Sequence, residues 1–226
     1  MKLSFPILAA ALLAVLVASC RQAKVDRLQT GDLVFVGLDP GYSLDPESMD
    51  SAISSSTGVP DDLNIIHVAI ADVDADGRWI IDATIKRGVA RYPLDSFLVD
   101  FTLKDGSYPV FIVKRLKDDS HAAEYVANAL KYVGRTYDRA FLPDDDSLYC
   151  SELVRDSYVT AAGEYLFKSY PMNFNDAEGN LPLYWEQLFA LLGMPVPQGV
   201  EGTNPKAMSD EDILRDVDVS IVPSME

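Results

Sequence analysis

Alternating apolar and polar positions predict several short strands in the first half of the chain. A turn over residues 30–32 leads into the apolar run 33–35, which predicts a buried strand. Residues 65–71 alternate strictly and predict a second strand. Its two faces would carry Ile66, Val68 and Ile70 on one side and His67, Ala69 and Ala71 on the other. Further strands are expected over 79–85 and 109–113, and the Gly-, Pro-, Ser- and Asp-rich stretch 37–62 is expected to form a long loop.

Helical periodicity appears in three segments of the second half. The first, 122–133, would begin at Ser120 as N-cap and stop at Gly134. The second would begin at Asp146 or Ser147 and carry Cys150, and the third, over 184–192, would end at Gly193. A short helix and turn is also expected within 92–101. A few strands with segregated helices indicate the α+β class, with residues 29–226 forming one domain.

The N-terminus has the pattern of a secretory signal. Lys2 precedes an apolar run over 5–17 that is too short to span a bilayer, and the string VASC then ends at Cys20. VASC resembles the bacterial lipobox, so residues 1–19 are predicted to be a signal peptide, Cys20 a lipidated cysteine and 20–28 a tether. The protein would then lie in the cell envelope, bound to the membrane through its lipid. The alternative is a buried N-terminal helix with an incidental cysteine.

Charge and residue composition exclude several classes of partner and cofactor. A formal charge of -16 and a pI near 4.4 would repel nucleic acid, so none is expected as a partner. The two histidines and the one cysteine besides Cys20 lack metal-ligand spacing, and no phosphate loop or dinucleotide fingerprint occurs. We therefore expect no metal and no cofactor, and a monomeric protein.

Cys150 is the candidate nucleophile. If Cys20 carries lipid, Cys150 has no disulfide partner in a compartment where disulfides are common. A position in the first turn of a helix would stabilise its thiolate. Asp144, Asp145 and Asp146 lie just upstream and are expected to face solvent or cap the helix, because inward carboxylates would oppose a thiolate. The alternative is a small buried side chain without chemistry.

His67 is the candidate base. Thiol catalysis needs one, and His121, the other histidine, lies beside charged residues at a predicted helix start, where it is expected to be exposed and idle. His67 shares its predicted strand face with Ala69 and Ala71, whose small side chains would leave room for a cleft. A purely structural histidine is the alternative.

Asp82 is the candidate that orients the imidazole, provided that the hairpin register allows it. A two-residue turn at Asp76-Gly77 without a bulge would pair Ala71 with Asp82. His67 would then lie four residues further along the strand, about 13 Å away, which is too far for contact. A six-residue loop over 72–77 would pair Ala71 with Arg78 and set His67 opposite Asp82, and we therefore predict the long loop. The alternative for Asp82 is a solvated carboxylate at a strand edge.

Five segments together resemble a known family. They are GDLVF at 31–35, HVAI at 67–70, IIDATIKRGV at 80–89, YDRAF at 137–141 and YCSELV at 149–154. In this order they resemble the YaeF/YiiX family of permuted papain-like amidases, and PVPQGVEGTNP at 195–205 is similar to the family as well. The resemblance implies a circularly permuted papain-like (NlpC-type) α+β fold, with a small antiparallel sheet or partial barrel packed against helices.

The resemblance also implies roles for individual residues. Cys150 would be the nucleophile, His67 the base, Asp82 the orienting residue and Tyr137 a residue that lines the substrate site. Members of the family commonly have glutamate where this chain has Asp82. The implied activity is hydrolysis of an amide or ester bond through an acyl-enzyme, on a cell-wall peptide or an acylated small molecule. A non-catalytic envelope lipoprotein that binds such a ligand and an acyltransferase remain as alternatives.

Overall fold

The computed structural model describes residues 27–58, 61–143 and 146–223. In chain order the strands are β1 (Leu33–Leu38), β2 (Asn64–Asp74), β3 (Gly77–Thr84), β4 (Gly88–Pro93), β5 (Val110–Leu116), β6 (Thr136–Tyr137), β7 (Ser147–Leu148), β8 (Tyr170–Pro171), β9 (Glu201–Gly202) and β10 (Leu214–Asp216). The helices are α1 (Met49–Thr57), α2 (Leu94–Asp100), α3 (Ala122–Leu130), α4 (Cys150–Ser157), α5 (Leu183–Leu192) and α6 (Pro205–Ser209).

A six-stranded antiparallel sheet is the centre of the fold. Its strand order is β10-β5-β1-β2-β3-β4, so the last strand along the chain forms one edge. The predicted strands at 33–35, 65–71, 79–85 and 109–113 are all present, with somewhat different bounds. The α+β class with an antiparallel sheet packed against helices is confirmed.

Helices cover both faces of the sheet because both faces are apolar. Helices α3 and α4 pack on one face, where Phe35, Val68 and Ile70 contact Leu153 and Tyr158. Helix α2 packs on the other face through Phe97 and Leu98. A third, largely aromatic cluster joins α1 to α5; its buried members are Ala52, Phe141, Tyr149, Phe174, Trp185, Leu188 and Phe189.

Several local predictions are wrong. The stretch 37–62 is not a loop throughout, because α1 lies within it and begins at Ser48, whose hydroxyl accepts from the Ser51 N–H. Residues 88–93 form the unpredicted strand β4.

The predicted ends of two later helices are also wrong. Ser120 does not cap α3; its hydroxyl bonds to Asp118 instead, and α3 ends at Leu130. Helix α4 begins at Cys150, later than predicted, since 147–148 are paired as β7. Helix α5 matches its prediction to one residue and ends at Gly193, in the left-handed conformation.

The hairpin between β2 and β3 has a two-residue turn at Ala75-Asp76, so the predicted six-residue loop is wrong. The Asp74 carboxylate accepts from the backbone N–H groups of Asp76 and Gly77, which fixes the turn at this position. The turn begins one residue earlier than the two-residue turn considered from the sequence. The ladder runs from Asp74↔Gly77 to Ile70↔Ile81. Continuing this register places Asp82 opposite Ala69, with His67 on the neighbouring diagonal.

A β-bulge at Ile66 changes which side chains share a face of β2. Val36 pairs with His67, but Gly37 pairs with Ile65, so Ile66 is the extra residue. As a result Ile65 packs with Val68, and Ile66 packs with Ala69 on the opposite face. The prediction that Ile66 shares a face with Val68 is therefore wrong.

A buried ion pair ties the start of β1 to β5. Both Asp32 oxygens accept from Arg115, with Nε–Oδ1 at 2.5 Å and Nη2–Oδ2 at 2.8 Å. Oδ2 also accepts from the Gln29 N–H, and Arg115 donates to the Arg27 carbonyl. Asp32 is fully buried and Arg115 is 4% exposed, so the pair is removed from solvent.

Within the described residues, no helix is long and apolar enough to cross a membrane.

Candidate active site

Cys150 is the first residue of α4 and points into the protein interior. It is a free cysteine that is 6% exposed. The Glu152 carboxylate accepts from the Tyr149 N–H at 3.4 Å, which closes one half of a capping box at this helix end. The N–H groups of the first helical turn and the positive end of the helix dipole are favourable surroundings for an anionic sulfur.

The distant segment around Thr203 holds the start of α4 from the other side. The Thr203 N–H donates to the Tyr149 phenol oxygen at 2.9 Å, and the Thr203 hydroxyl donates to Ser151 Oγ at 2.9 Å. Gly202 permits this approach, because a Cβ there would lie 2.9 Å from the Tyr149 phenol oxygen. The backbone on both sides of Cys150 is therefore fixed by a segment about fifty residues further along the chain.

His67 reaches Cys150 from the end of β2 where the ladder with β3 has stopped. It is 8% exposed and lies close enough to Cys150 for the two side chains to interact. Burial lowers the pKa of His67, but the negative sulfur of Cys150 and the contact with Asp82 outweigh burial and raise the pKa to about 10. These interactions favour the imidazolium form of the ring beside the sulfur.

The walls around His67 are aromatic, contrary to the expectation of small neighbours. The Phe101 ring lies 4.8 Å from the imidazole and the Phe97 ring 6.3 Å, both measured between centroids. Ala69 and Ala71, predicted to leave room for a cleft, are fully buried in the core under α2. The phenylalanines hold the ring on one side and restrict access of water to it.

Asp82 lies next to His67 despite the two-residue turn. His67 Nε2 and Asp82 Oδ2 are 3.1 Å apart, and Asp82 is fully buried. The diagonal relation across β2 and β3 brings the side chains together, and the ladder has already ended at Ile70, so the strands are free to adjust. Because Nε2 is engaged with Asp82, Nδ1 is the ring nitrogen available to Cys150.

Tyr92 completes this group and was not found from the sequence. Its hydroxyl donates to the same Asp82 oxygen, Oδ2, at 3.0 Å. The register Ile80↔Tyr92 and Asp82↔Ala90 puts Tyr92 diagonal to Asp82 on the β4 side, as His67 is on the β2 side. Recognising β4 would have revealed it, because the same two-residue alternation then aligns Asp82 with Tyr92.

Cys150 is reached through a cleft. A cavity of about 190 Å³ on one side is lined by His67, Asp50, Phe101, Tyr137 and Cys150, among others. Next to it is a cavity of about 230 Å³ that shares Asp50 and Phe101. On the other side of Cys150 a small apolar cavity of about 40 Å³ is lined by Tyr137, Phe141 and Trp185. Tyr137 thus borders the cavities on both sides, and burial raises its pKa well above the usual value.

Asp50 is a second cleft residue that the sequence did not indicate. It lies in the first turn of α1, within the stretch that was predicted to be a loop. Its pKa is raised by burial, although the charge on His67 opposes this change. It borders both larger cavities, so it places a carboxyl group on the wall of the cleft beside His67.

The other residues singled out from the sequence lie away from this cleft or outside the structure. His121 is exposed and pairs with Glu124 at 3.0 Å. Asp146 is exposed, whereas Asp144, Asp145 and the predicted lipidation site Cys20 lie outside the described residues. Within the described residues, no group of three or more His, Cys, Asp or Glu side chains could hold a metal ion.

Comparison with known proteins places this geometry in a family. The family described as permuted papain-like amidase, YaeF/YiiX, C92, matches residues 27–218. The crystal structure of the metalloprotein YiiX from Escherichia coli O157:H7 superposes with a TM-score of 0.64 and 23% identity, covering 84% of this chain and 96% of that one. At this identity the likeness shows a common fold. No curated protein matches the chain.

Proposed function

Because this chain belongs to the YaeF/YiiX family of permuted papain-like amidases, we propose that it is a cysteine hydrolase that uses Cys150 as nucleophile, His67 as proton carrier and Asp82 as the group that orients His67. The observation that carries the proposal is the continuous chain Cys150–His67–Asp82, buried at the start of a helix and open to a cleft. A nucleophile, a base in contact with it and a third group holding the base are the requirements for thiol catalysis.

The pair would work as a thiolate and an imidazolium. The sulfur attacks the carbonyl carbon of the amide, and the carbonyl oxygen becomes negatively charged. His67 then gives its Nδ1 proton to the leaving amine as the C–N bond breaks, which leaves an acyl group on Cys150 and a neutral imidazole. Water attacks the acyl carbon, His67 takes a proton from it, and the acid leaves as the thiolate and imidazolium are restored.

The negative oxygen formed in this reaction needs hydrogen-bond donors. The backbone N–H groups at the start of α4, the helix that begins at Cys150, are the first candidate donors. Tyr137 is the second candidate donor, because it borders the cavities on both sides of Cys150 and its raised pKa keeps the hydroxyl protonated. Stabilisation by donors fixed before the reaction is worth several kcal/mol in enzymes that use it, of the order of 2.7–4 kcal/mol for one donor.

The cleft favours an amide with an apolar part. The small cavity beyond Cys150 is almost entirely apolar, whereas the two cavities on the His67 side are both lined by the carboxyl groups of Asp50 and Asp100. A cell-wall peptide and an N-acyl small molecule both have this division. We include in the proposal that Cys20 is lipidated and holds the enzyme at the envelope membrane, on the basis of the signal-like sequence and VASC at 17–20.

An acylating active-site probe tests the proposal. A thiol-reactive acyl probe should label the wild-type protein at Cys150, and Cys150→Ala should abolish labelling. His67→Ala should slow labelling by about 10²-fold or more, since the thiolate loses its counter-ion and proton carrier. His121→Ala is the matched control, because it removes the exposed histidine and should leave the rate unchanged. Equal rates for wild type and His67→Ala would refute the mechanism.

A further inference from the structure

Two polar side chains are arranged around a single buried oxygen of Asp82. Asp82 Oδ2 accepts from His67 Nε2 at 3.1 Å and from the Tyr92 hydroxyl at 3.0 Å. The other oxygen, Oδ1, is buried and has no hydrogen-bond partner among the described residues. Both donors thus converge on one atom, although Asp82 is fully buried and a carboxylate can accept at both oxygens.

Tyr92 can act only as a donor in this position. Burial raises its pKa far above the usual value, and the nearby charge of Asp82 raises it further. The hydroxyl therefore stays protonated at any pH at which the protein is folded. Among the described residues its hydrogen-bond partner is Asp82 Oδ2, so its proton is directed at that atom.

The Tyr92 ring is itself held in place from the cleft side. The Arg87 guanidinium lies over the ring at 4.3 Å from its centroid. Arg87 donates twice to Asp100, from Nε at 3.0 Å and from Nη2 at 2.7 Å. Asp100 borders both of the larger cavities. Tyr92 is thus fixed between Asp82 on one side and a charged pair of the cleft wall on the other.

We propose that Tyr92 is a positioning residue that acts through Asp82 to set the tautomer and direction of His67; this inference rests on the proposed function. By donating to Oδ2, Tyr92 holds that oxygen as an acceptor and fixes the carboxylate rotation. The Nε2 proton of His67 then points to Asp82, and Nδ1 is directed at Cys150. Both hydrogen bonds end at Asp82 Oδ2. The Tyr92 hydroxyl donates one, and His67 Nε2–H donates the other.

The position of Tyr92 also suits the short side chain of Asp82. Asp82 reaches His67 only along a diagonal of the sheet, so the pairing of the strands does little to fix the rotation of the Asp82 carboxylate. The hydroxyl from the opposite diagonal supplies that constraint. Hydrogen bonds to charged groups are stronger than those between neutral groups, which makes a single phenol sufficient for the task.

Tyr92→Phe tests the proposal, since it removes only the hydroxyl. We expect kcat on an amide substrate to fall about 10- to 100-fold, the range for losing a hydrogen bond to a charged group. KM should change little because Tyr92 is not among the residues that border the larger cavities. The basic limb of the pH–rate profile should move to lower pH, because a loosened contact with Asp82 raises the pKa of His67 less.

Tyr158→Phe is the matched control. It removes a buried phenol that donates to the Gly31 carbonyl at 2.9 Å, remote from the cleft. This variant should lose stability without any change in the pH–rate profile. A Tyr92→Phe enzyme with wild-type kcat and pH profile, or one that resembles Tyr158→Phe in losing stability alone, would overturn the proposal.

Two further measurements separate positioning from general damage. In an Asp82→Asn background, adding Tyr92→Phe should have little further effect on kcat, since Tyr92 acts through Asp82; full additivity would contradict the proposal. If Tyr92→Phe fails to fold, 2,3-difluorotyrosine at position 92 keeps both the shape and the donor, so kcat should stay near the wild-type value. A fall in kcat of about 10-fold or more in that protein would overturn the proposal. Full activity in Cys150→Ala would instead refute the proposed function itself.

Discussion

Two fully buried aspartates in the same sheet have opposite surroundings. Asp32 uses both oxygens, which accept two hydrogen bonds from Arg115 and one from a backbone N–H. Asp82 uses one oxygen for two donors and leaves the other without a partner in the described structure. The partner of Asp32 is an arginine that is always charged, whereas that of Asp82 is a histidine that titrates.

The difference separates a structural carboxylate from a functional one. A satisfied pair with arginine has one protonation state and one geometry, so it can only hold β1 to β5. A pair with histidine can move protons, but only if the imidazole keeps its orientation while its charge changes. The less complete hydrogen bonding of Asp82 is thus associated with the site where chemistry is expected.

Replacing Asp82 should affect activity far more than stability. Asp82→Asn keeps the size of the side chain but removes the charge that favours the imidazolium. We expect kcat to fall by about 10²–10⁴-fold, the range for losing effective acid–base catalysis. The midpoint of urea unfolding should change little, because His67 can lose its proton once the charge of Asp82 is removed, whereas the arginine that pairs with Asp32 cannot. Steady-state kinetics and urea titration on the same preparation measure both quantities. Wild-type kcat in this variant would remove Asp82 from the site.

Replacing Arg115 should have the reverse effect. Arg115→Met leaves the buried Asp32 carboxylate without its cation, and breaking a buried pair in this way costs about 3–5 kcal/mol of unfolding free energy. The rate of Cys150 labelling per folded molecule should remain at the wild-type value, since the pair lies at β1 and β5 rather than at the cleft. A stable Arg115→Met protein with slow labelling would show that the two aspartates are not distinct in role.

Removing the sulfur should lower the pKa of His67, which is raised to about 10 in the wild type from 6.5. Protonation of His67 therefore stabilises the fold fully below pH 6.5, and this contribution is lost as the pH rises through about 10. In Cys150→Ser, burial still lowers the pKa of His67, and the anionic sulfur that raises it is absent. The stabilisation that comes from protonated His67 should therefore be lost at lower pH. Each unit of change in pKa corresponds to about 1.4 kcal/mol.

Nuclear magnetic resonance can follow this titration directly. The chain has two histidines, so His121→Gln leaves one imidazole to observe. Its ring signals should titrate at lower pH in Cys150→Ser than in the protein with Cys150. An identical titration in the two proteins would mean that the sulfur does not carry the negative charge assigned to it.

Strong periodicity made much of the fold predictable from the sequence. The alternation over 65–71 identified β2, and the apolar stripe over 184–192 identified α5 to within one residue. Helix α1 was missed because its sequence is rich in serine and Ala52 is its only buried residue. It is held by α5, far along the chain, which no local pattern reveals. Strand β4 was missed because it is short and lies between a turn and a helix.

The parts of the site that were predicted and missed differ for physical reasons. Chemical type and strand parity were enough to select Cys150, His67 and Asp82. The observed hairpin register differs from the predicted one by two residues, and a shift of two residues leaves each side chain on the same face of the sheet. The turn itself depends on the Asp74 side chain accepting from two backbone N–H groups, a local feature that was present in the sequence but not used. The bulge at Ile66 lies where the register shifts at Gly37, a residue that the Leu63 side chain approaches closely, and no periodic pattern in the sequence indicates this contact.

The hydrogen bonds from Thr203 to Tyr149 and Ser151 have a consequence for the timing of assembly. Thr203, which holds the start of α4, is synthesised 54 positions after Tyr149 and 52 positions after Ser151. Strand β10, which forms an edge of the sheet, is made later still. A nascent chain that has reached α4 therefore contains the nucleophile and its histidine but not the segment that clamps the helix. The order of synthesis thus separates the appearance of the reactive thiol from the completion of its surroundings.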